Sequence, residues 1–385
     1  MRRYFTMILA VCMILSLAAC SSDSAADEET SEAETTETDS EAENDAETQS
    51  GEDTAEDDSD LEEATAQVFA MDTYFELTAY GENAEEALNE ISEEIEALDS
   101  LLSVTDEDSE VYALNNAGGE TLEVSETTAG LIEFTQSLSG QTGGALDITI
   151  YPLVQAWGFT TEDAYEDGEY TPPSDEEISS LLPLVDESLI EVDGTSVTVP
   201  DGMALDLGSV VKGYACSLAE EILEEYGVEH ALLNFGSSTI GLVGTKTDGS
   251  SWRVAIQDPE DETTYAGILT ADNVTVDTSG GYERYFTDED GNVYWHILDP
   301  DTGKPADSGL ISATIVCDDS LMGDALSTAC FVMGLDETIE YWSTYGDFEF
   351  ILITEEHEIY ISEGIADSFE PYGAYEDAEL TVVTE

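Results

Sequence analysis

Asp206-Leu-Gly-Ser-Val-Val-Lys-Gly-Tyr-Ala215 reads as the end of a strand running into a helix. Beyond it Ala215, Leu218, Ala219, Ile222, Leu223 and Tyr226 recur at helical spacing, and Gly227 supplies the stop. One acid, Asp206, and one base, Lys212, stand at the helix entrance. A helix dipole disfavours a cation at its N-terminus, so Lys212 needs a reason to be there. An anion held between the helix N-terminus and the lysine supplies one.

Outward from this stretch, strand and helix patterns mix without regular alternation. Val68 to Tyr80 alternates as a strand, and Ala87, Leu88, Ile91, Ile95, Leu98 and Leu102 follow on one helical face, with Asn83 as its cap. Thr128 to Leu138 reads as a second helix. Residues 160–185 are acidic, contain Pro172-Pro173, and read as a surface excursion. Downstream, Ala231 to Gly236 reads as a buried strand. Thr278 to Phe286 and Val293 to Leu298 flank an Asp290-Gly291-Asn292 turn and read as a hairpin. Gly323 to Gly334 forms a helix pattern, and Phe348 to Ile353 pairs with Glu358 to Ile361 in a last hairpin. The expected class is α+β, with mixed sheets packed against helices.

The 385-residue chain carries a formal charge of −83 and only seven Lys and Arg. That balance excludes nucleic acid as a partner, because its phosphates would be repelled. Arg2 and Arg3 precede an apolar run, Met7 to Leu17, too short to span a bilayer. Leu17-Ala18-Ala19-Cys20 resembles a bacterial lipobox, which makes residues 1–19 a lipoprotein signal peptide and Cys20 the lipidated mature terminus. The alternative is an ordinary signal peptide cleaved nearby. Lipidation places the protein on the extracytoplasmic face of the cell membrane. Residues 20–66 contain almost nothing apolar beyond Ala and Leu61, and read as a disordered acidic linker. Residues 67–385 form the globular domain. Its Cys216, Cys317 and Cys330 show no zinc spacing and are odd in number, so buried thiols are expected, not a disulfide framework.

Three places could carry chemistry. Gly143-Gly144 lead to Asp147; the paired glycines permit close backbone approach to a ligand, or simply make a tight turn. Asp324 and Thr328 are four apart, so a carboxylate and a hydroxyl share one helix face. As hard oxygen donors they suit Mg²⁺, although Asp324 also fits as an N-terminal helix acid. His296 lies between aromatic neighbours and the Asp299 to Lys304 turn, as a base or as a structural histidine.

Five separated motifs together resemble the FAD:protein FMN transferases, the ApbE-type flavin transferases. They are Gly144-Ala-Leu-Asp147, Asp206 to Ala215, Thr278-Ser-Gly-Gly-Tyr-Glu-Arg-Tyr-Phe286, His296-Ile-Leu-Asp-Pro-Asp-Thr-Gly303 and Gly323-Asp-Ala-Leu-Ser-Thr328. The resemblance implies an ApbE-like (T-fold-like) catalytic domain. It further implies an enzyme that cleaves FAD at the pyrophosphate, esterifies FMN to a Thr or Ser of an acceptor flavoprotein, and releases AMP. Acceptors of the family are subunits of membrane redox complexes and extracellular electron-transfer proteins. Carried over by position, Met71, Thr105, Ala145, Leu146, Asp147, Asp206, Lys212 and Ile297 line the FAD site. Ser209, through its carbonyl, joins Asp324 and Thr328 around Mg²⁺, and His296 lies beside the reacting phosphoryl group as general base. Two departures stand out: Thr105 replaces a tyrosine, and Ser237-Ser238 replace a second glycine after Gly236. An FAD pyrophosphatase and a non-catalytic FAD-binding lipoprotein are the competing expectations.

Overall fold

The computed structural model describes residues 61–160, 165–166 and 169–384. Cys20, the signal peptide and nearly all of the expected linker lie outside them. The strand Glu63–Ala70 begins inside the stretch assigned to the linker.

A nine-stranded sheet forms the centre. Its strands, in chain order, are β1 (Glu63–Ala70), β2 (Thr73–Tyr80), β3 (His230–Phe235), β4 (Thr239–Val243), β5 (Val274–Gly280), β6 (Leu310–Cys317), β7 (Glu349–Thr354), β8 (Ile359–Ser362) and β9 (Leu380–Val383). They lie side by side in that same order. Every neighbouring pair is antiparallel except β8 and β9. The mixed sheet with helices is the α+β class expected.

Four helices matter to the site: α1 (Ala84–Leu102), α2 (Glu126–Thr142), α3 (Val211–Tyr226) and α4 (Ser320–Tyr345). One sheet face packs on them. Phe75, Leu233, Phe235, Ile315 and Phe350 meet Ile91, Ile95, Ala219 and Phe331 in this larger core. The alternate residues Val276, Val316, Ile351 and Ile353 turn to the other face, against Trp252, Ile256, Leu269 and Phe369 of a small three-stranded sheet. This period-2 partition comes from strand geometry. Asn83 precedes α1 but caps nothing with its side chain; its amide donates instead to the Tyr226 carbonyl at the end of α3.

Three further expectations change. Val68 to Tyr80 is not one strand. It folds back at Met71 and Asp72, whose φ values of 52° and 60° suit a two-residue hairpin turn, a turn these residue types seldom signal. Thr278 to Gly280 belongs to β5, and the small hairpin is Tyr285–Thr287 with Val293–Trp295. Residues 160–185 are not merely a surface excursion: Tyr170 and Ile178 are buried with Leu153, Trp157 and Leu298 in a satellite cluster. Gly334, at φ 78° and ψ −175°, leaves helical geometry and ends the first helical run of α4 as expected; a second run follows it directly to Tyr345. Cys216, Cys317 and Cys330 are free and buried, as expected.

Candidate active site

Sheet register places the site. Phe75, Phe235, Thr239, Asp277, Ile315 and Phe350 form one cross-strand row. Just beyond that row lie the Met71 turn, Gly236 to Ser238 and Thr278 to Gly280, with the Thr278 N–H bonded to the Ser238 carbonyl at 2.8 Å. Met71 is half-buried, and its N–H donates to Asp99 Oδ1 near the end of α1. Thr105, just past that helix, is exposed and has its hydroxyl 3.2 Å from Ser103 Oγ. Ser237 has a φ of 68°, a conformation that favours glycine, and Asn234 Oδ1 holds its N–H at 2.7 Å.

The opening stretch contains no strand. Residues 203–207 are irregular and α3 begins at Val211. At its first turn Asp324, from α4, presents Oδ2 to the Gly213 N–H at 2.8 Å, and the Lys212 N–H also faces it. The helix therefore holds an anion, and it is the chain's own carboxylate. This contact needs glycine. A Cβ on Gly213 would stand 2.2 Å from the Ser320 carbonyl and 2.6 Å from Asp324 Cβ. Burial raises the Asp324 carboxyl above the ordinary range, opposed by the Lys212 charge and these N–H groups.

Asp324 is 4% exposed, and Thr328 lies one turn further on, half-buried. Ser279 of β5 joins the α4 hydroxyls, 2.8 Å from Ser327 Oγ and 3.2 Å from Thr328 Oγ1. Ser209 is half-buried in the turn just before α3. Among the described residues no three His, Cys, Asp or Glu side chains converge as a metal cluster. The donors here are one carboxylate, hydroxyls and a carbonyl. With a buried carboxylate short of compensation, that oxygen set fits a hard cation such as Mg²⁺.

Asp147 caps a short turn through the Thr149 N–H at 2.7 Å and accepts from the Glu187 N–H at 3.1 Å. Gly143 and Gly144, at φ 68° and 92°, terminate α2, which is the structural role open to them. Ala145 is half-buried and Leu146 buried. The Asp147 loop is tied to the Asp206 loop by the Asp206 N–H, which meets the Ile148 carbonyl at 2.8 Å. Burial raises the carboxyls of Asp147 and Asp206. Asp147 and the Glu187 backbone line a cavity of about 260 Å³ with Gly144, Ser139 and Pro300. Glu187, pushed up to about 7 by burial and then by the Asp147 charge, was not legible in the sequence.

His296 is half-buried. Its N–H and its ring Nδ1 both meet the Arg284 carbonyl, at 3.0 and 3.3 Å. A carbonyl only accepts, so Nδ1 carries the hydrogen and Nε2 keeps a free lone pair. Burial, then the charges of Arg284 and Lys212, lower its pKa to about 4. Ile297, next to it, is buried, and its carbonyl accepts from the Ala306 N–H. Arg284 also faces Asp206 and Glu283. Arg284 lies within the Thr278 to Phe286 motif, and its rarity as one of seven Lys and Arg is the signal the sequence offers.

The Lys212 charge acts on both Asp324 and His296, so it links the two parts of the arrangement. Thr105 lies just past the end of α1, to which the Met71 turn is tied through Asp99.

The ApbE family profile matches residues 71–352. A curated FAD:protein FMN transferase of Vibrio cholerae is 32% identical over 249 residues, covering 64% of this chain and 72% of its own. One of Klebsiella pneumoniae is 31% identical over 282 residues, covering 72% and 85%. Among solved structures, the ApbE protein of Thermotoga maritima superposes with a TM-score of 0.73 at 30% identity, over 80% of this chain and 99% of that one. The flavin transferase ApbE of Vibrio cholerae gives 0.69 at 25% identity, over 82% and 99%.

Proposed function

The chain belongs to the ApbE family, and we propose that it is an FAD:protein FMN transferase that uses Mg²⁺, forms a phosphoester with an acceptor flavoprotein and releases AMP. The observation that carries this reading is the Asp324 carboxylate seated on the Gly213 N–H at the start of α3, one residue from Lys212, whose charge acts on both Asp324 and His296. The relatives' shared name, FAD:protein FMN transferase, supports the same activity.

FAD's pyrophosphate is an anion, and a chain of net charge −83 repels it at a distance. Local positive potential must therefore receive it, and Lys212 and Arg284 supply that. Met71, Thr105, Ala145, Leu146, Asp147, Asp206 and Ile297 would line the remainder of the FAD. The Ser209 carbonyl, Asp324 and Thr328 would hold Mg²⁺, which when bound neutralises charge on phosphoryl oxygens.

The acceptor's Thr or Ser oxygen bonds to the FMN phosphorus as the bond to the AMP oxygen breaks. AMP leaves with the electron pair, and the hydroxyl proton passes to His296 Nε2. A histidine of pKa about 4 is a weak base. Burial is the main cause of that value; the bound pyrophosphate would offset the Arg284 and Lys212 charges that add to it, and to that extent make His296 more basic.

Cys20 would anchor the enzyme to the outer face of the membrane. The acceptor would then be a subunit of a membrane redox complex or an extracellular electron-transfer protein.

The test incubates the full-length chain with FAD and Mg²⁺, with and without an acceptor domain. A flavin-fluorescent acceptor band that survives denaturation is the expected outcome. AMP and free FMN without a band would identify a pyrophosphatase, and absence of turnover a binding lipoprotein.

A further inference from the structure

A second buried carboxylate lies beneath the Asp324 helix, and one of its oxygens makes no hydrogen bond of normal geometry. Thr275, Asp277 and Ser279 alternate along β5 and share the face turned to α4, where Ser279 meets Ser327 and Thr328. Asp277 lies under Gly323. A Cβ at that glycine would stand 2.2 Å from Asp277 Oδ2, so the missing side chain makes the room. Oδ2 accepts from the Thr275 hydroxyl at 2.8 Å. Oδ1 is sealed from solvent and makes no hydrogen bond of normal geometry; the cross-strand Thr239 hydroxyl, itself buried and unpartnered, is the polar group turned towards this carboxylate, and Asp277 is 0% exposed.

Asp324 follows Gly323 directly, and the two carboxylates repel each other. Lys212 is the cation that faces both. Two carboxylates against one lysine leave a negative charge uncompensated in a place that excludes water. A buried charge of that kind is costly unless something pairs with it. A proton shared between the two acids would compensate it, and so would a cation.

We propose that Asp277 is a further residue of the divalent-cation site, its free Oδ1 taking the cation or one of the cation's waters and giving the seat a second carboxylate beside Asp324. The all-oxygen surroundings, with the hydroxyls of Ser279, Ser327 and Thr328 on the same face, match the donor chemistry of Mg²⁺. This rests on the reading that the chain binds Mg²⁺ at Asp324.

The experiment titrates Mg²⁺ into the full-length chain without FAD, by calorimetry, for the wild type and Asp277→Asn. The substitution keeps shape and removes charge. The dissociation constant for Mg²⁺ should rise on the order of 10–100-fold, the range seen when a group supporting a metal site is removed. The Mg²⁺-induced rise in melting temperature should shrink in step. Asp277→Ser, checked by circular dichroism, serves if the asparagine variant does not fold. Wild-type Mg²⁺ affinity in a folded variant would overturn the inference and leave Asp277 as the partner of a shared proton. Absence of Mg²⁺ uptake by the wild type would instead bring down the cation reading of the whole site.

Discussion

The Asp324 side of the site and the His296 side are mounted differently. Asp324 sits where two helices touch, its Oδ2 on the Gly213 N–H and its helix pressed on β5 and β6 in the larger core. His296 follows an exposed two-stranded hairpin that leans on a satellite of aromatics. There Phe286 stacks on Phe159 and Tyr170 at 4.8 and 4.5 Å, and Tyr294 tilts against Trp157. The difference teaches a division of labour. A cation seat needs fixed oxygens, which a close-packed core provides. On the proposed reading His296 meets an incoming acceptor chain, and the access this needs is what a hairpin on a small cluster provides.

The strongest test of this contrast pairs Asp324→Asn with His296→Ala. Asparagine still accepts from the Gly213 N–H, so melting should change little, while turnover falls on the order of 10²–10³-fold through lost charge stabilisation. His296→Ala should lose about 10²-fold in transfer and leave Mg²⁺ affinity unchanged. Equal loss of Mg²⁺ affinity in both variants would mean the two sides are one unit.

Next in size is Trp157→Ala. Trp157 is 3% exposed, and its indole N–H donates to the Gly303 carbonyl at 2.8 Å. Deleting such a side chain costs about 3–5 kcal/mol. Hydrogen exchange should show the 285–298 hairpin opening early, with the amides of α3 and α4 still protected. Uniform loss of protection would show a single cooperative core.

The smallest expected effect is electrostatic. Arg284→Gln should raise the His296 pKa from about 4 towards the usual 6.5, read from its ring protons by NMR. The sign follows from proton counts. Between pH 4 and 6.5 the unfolded chain binds a proton that folded His296 does not, so stability falls as pH drops through that window. The variant should narrow it. An unmoved pKa would show that burial and Lys212 set it without Arg284.

Much of the chain was legible in advance because its signals are local. The α1 face, Gly227 as a helix stop and the final hairpin rest on periodicity and turn chemistry within a few residues. The five motifs singled out Asp324, Lys212 and His296 because each is embedded in a run of distinctive neighbours, and the fold brings Asp324 to the residue beside Lys212. The Met71 turn escaped because nothing at Met71-Asp72 marks a positive φ. Arg284 and Glu187 escaped because their significance is a relation to residues distant in the chain, such as Asp206 and Asp147.

By itself, then, the sequence determined the α+β class, the family and the acidic balance that makes any anion site a matter of a few cations. Those are properties of residue type, order and count. The tertiary structure decided what occupies the start of α3: Asp324, brought 111 positions across the chain by two helices that Gly213 lets approach. It also decided that Asp277 lies beneath Asp324 with an oxygen unpaired. Burial and the meeting of charges arise only when separate segments pack, and no local pattern encodes them.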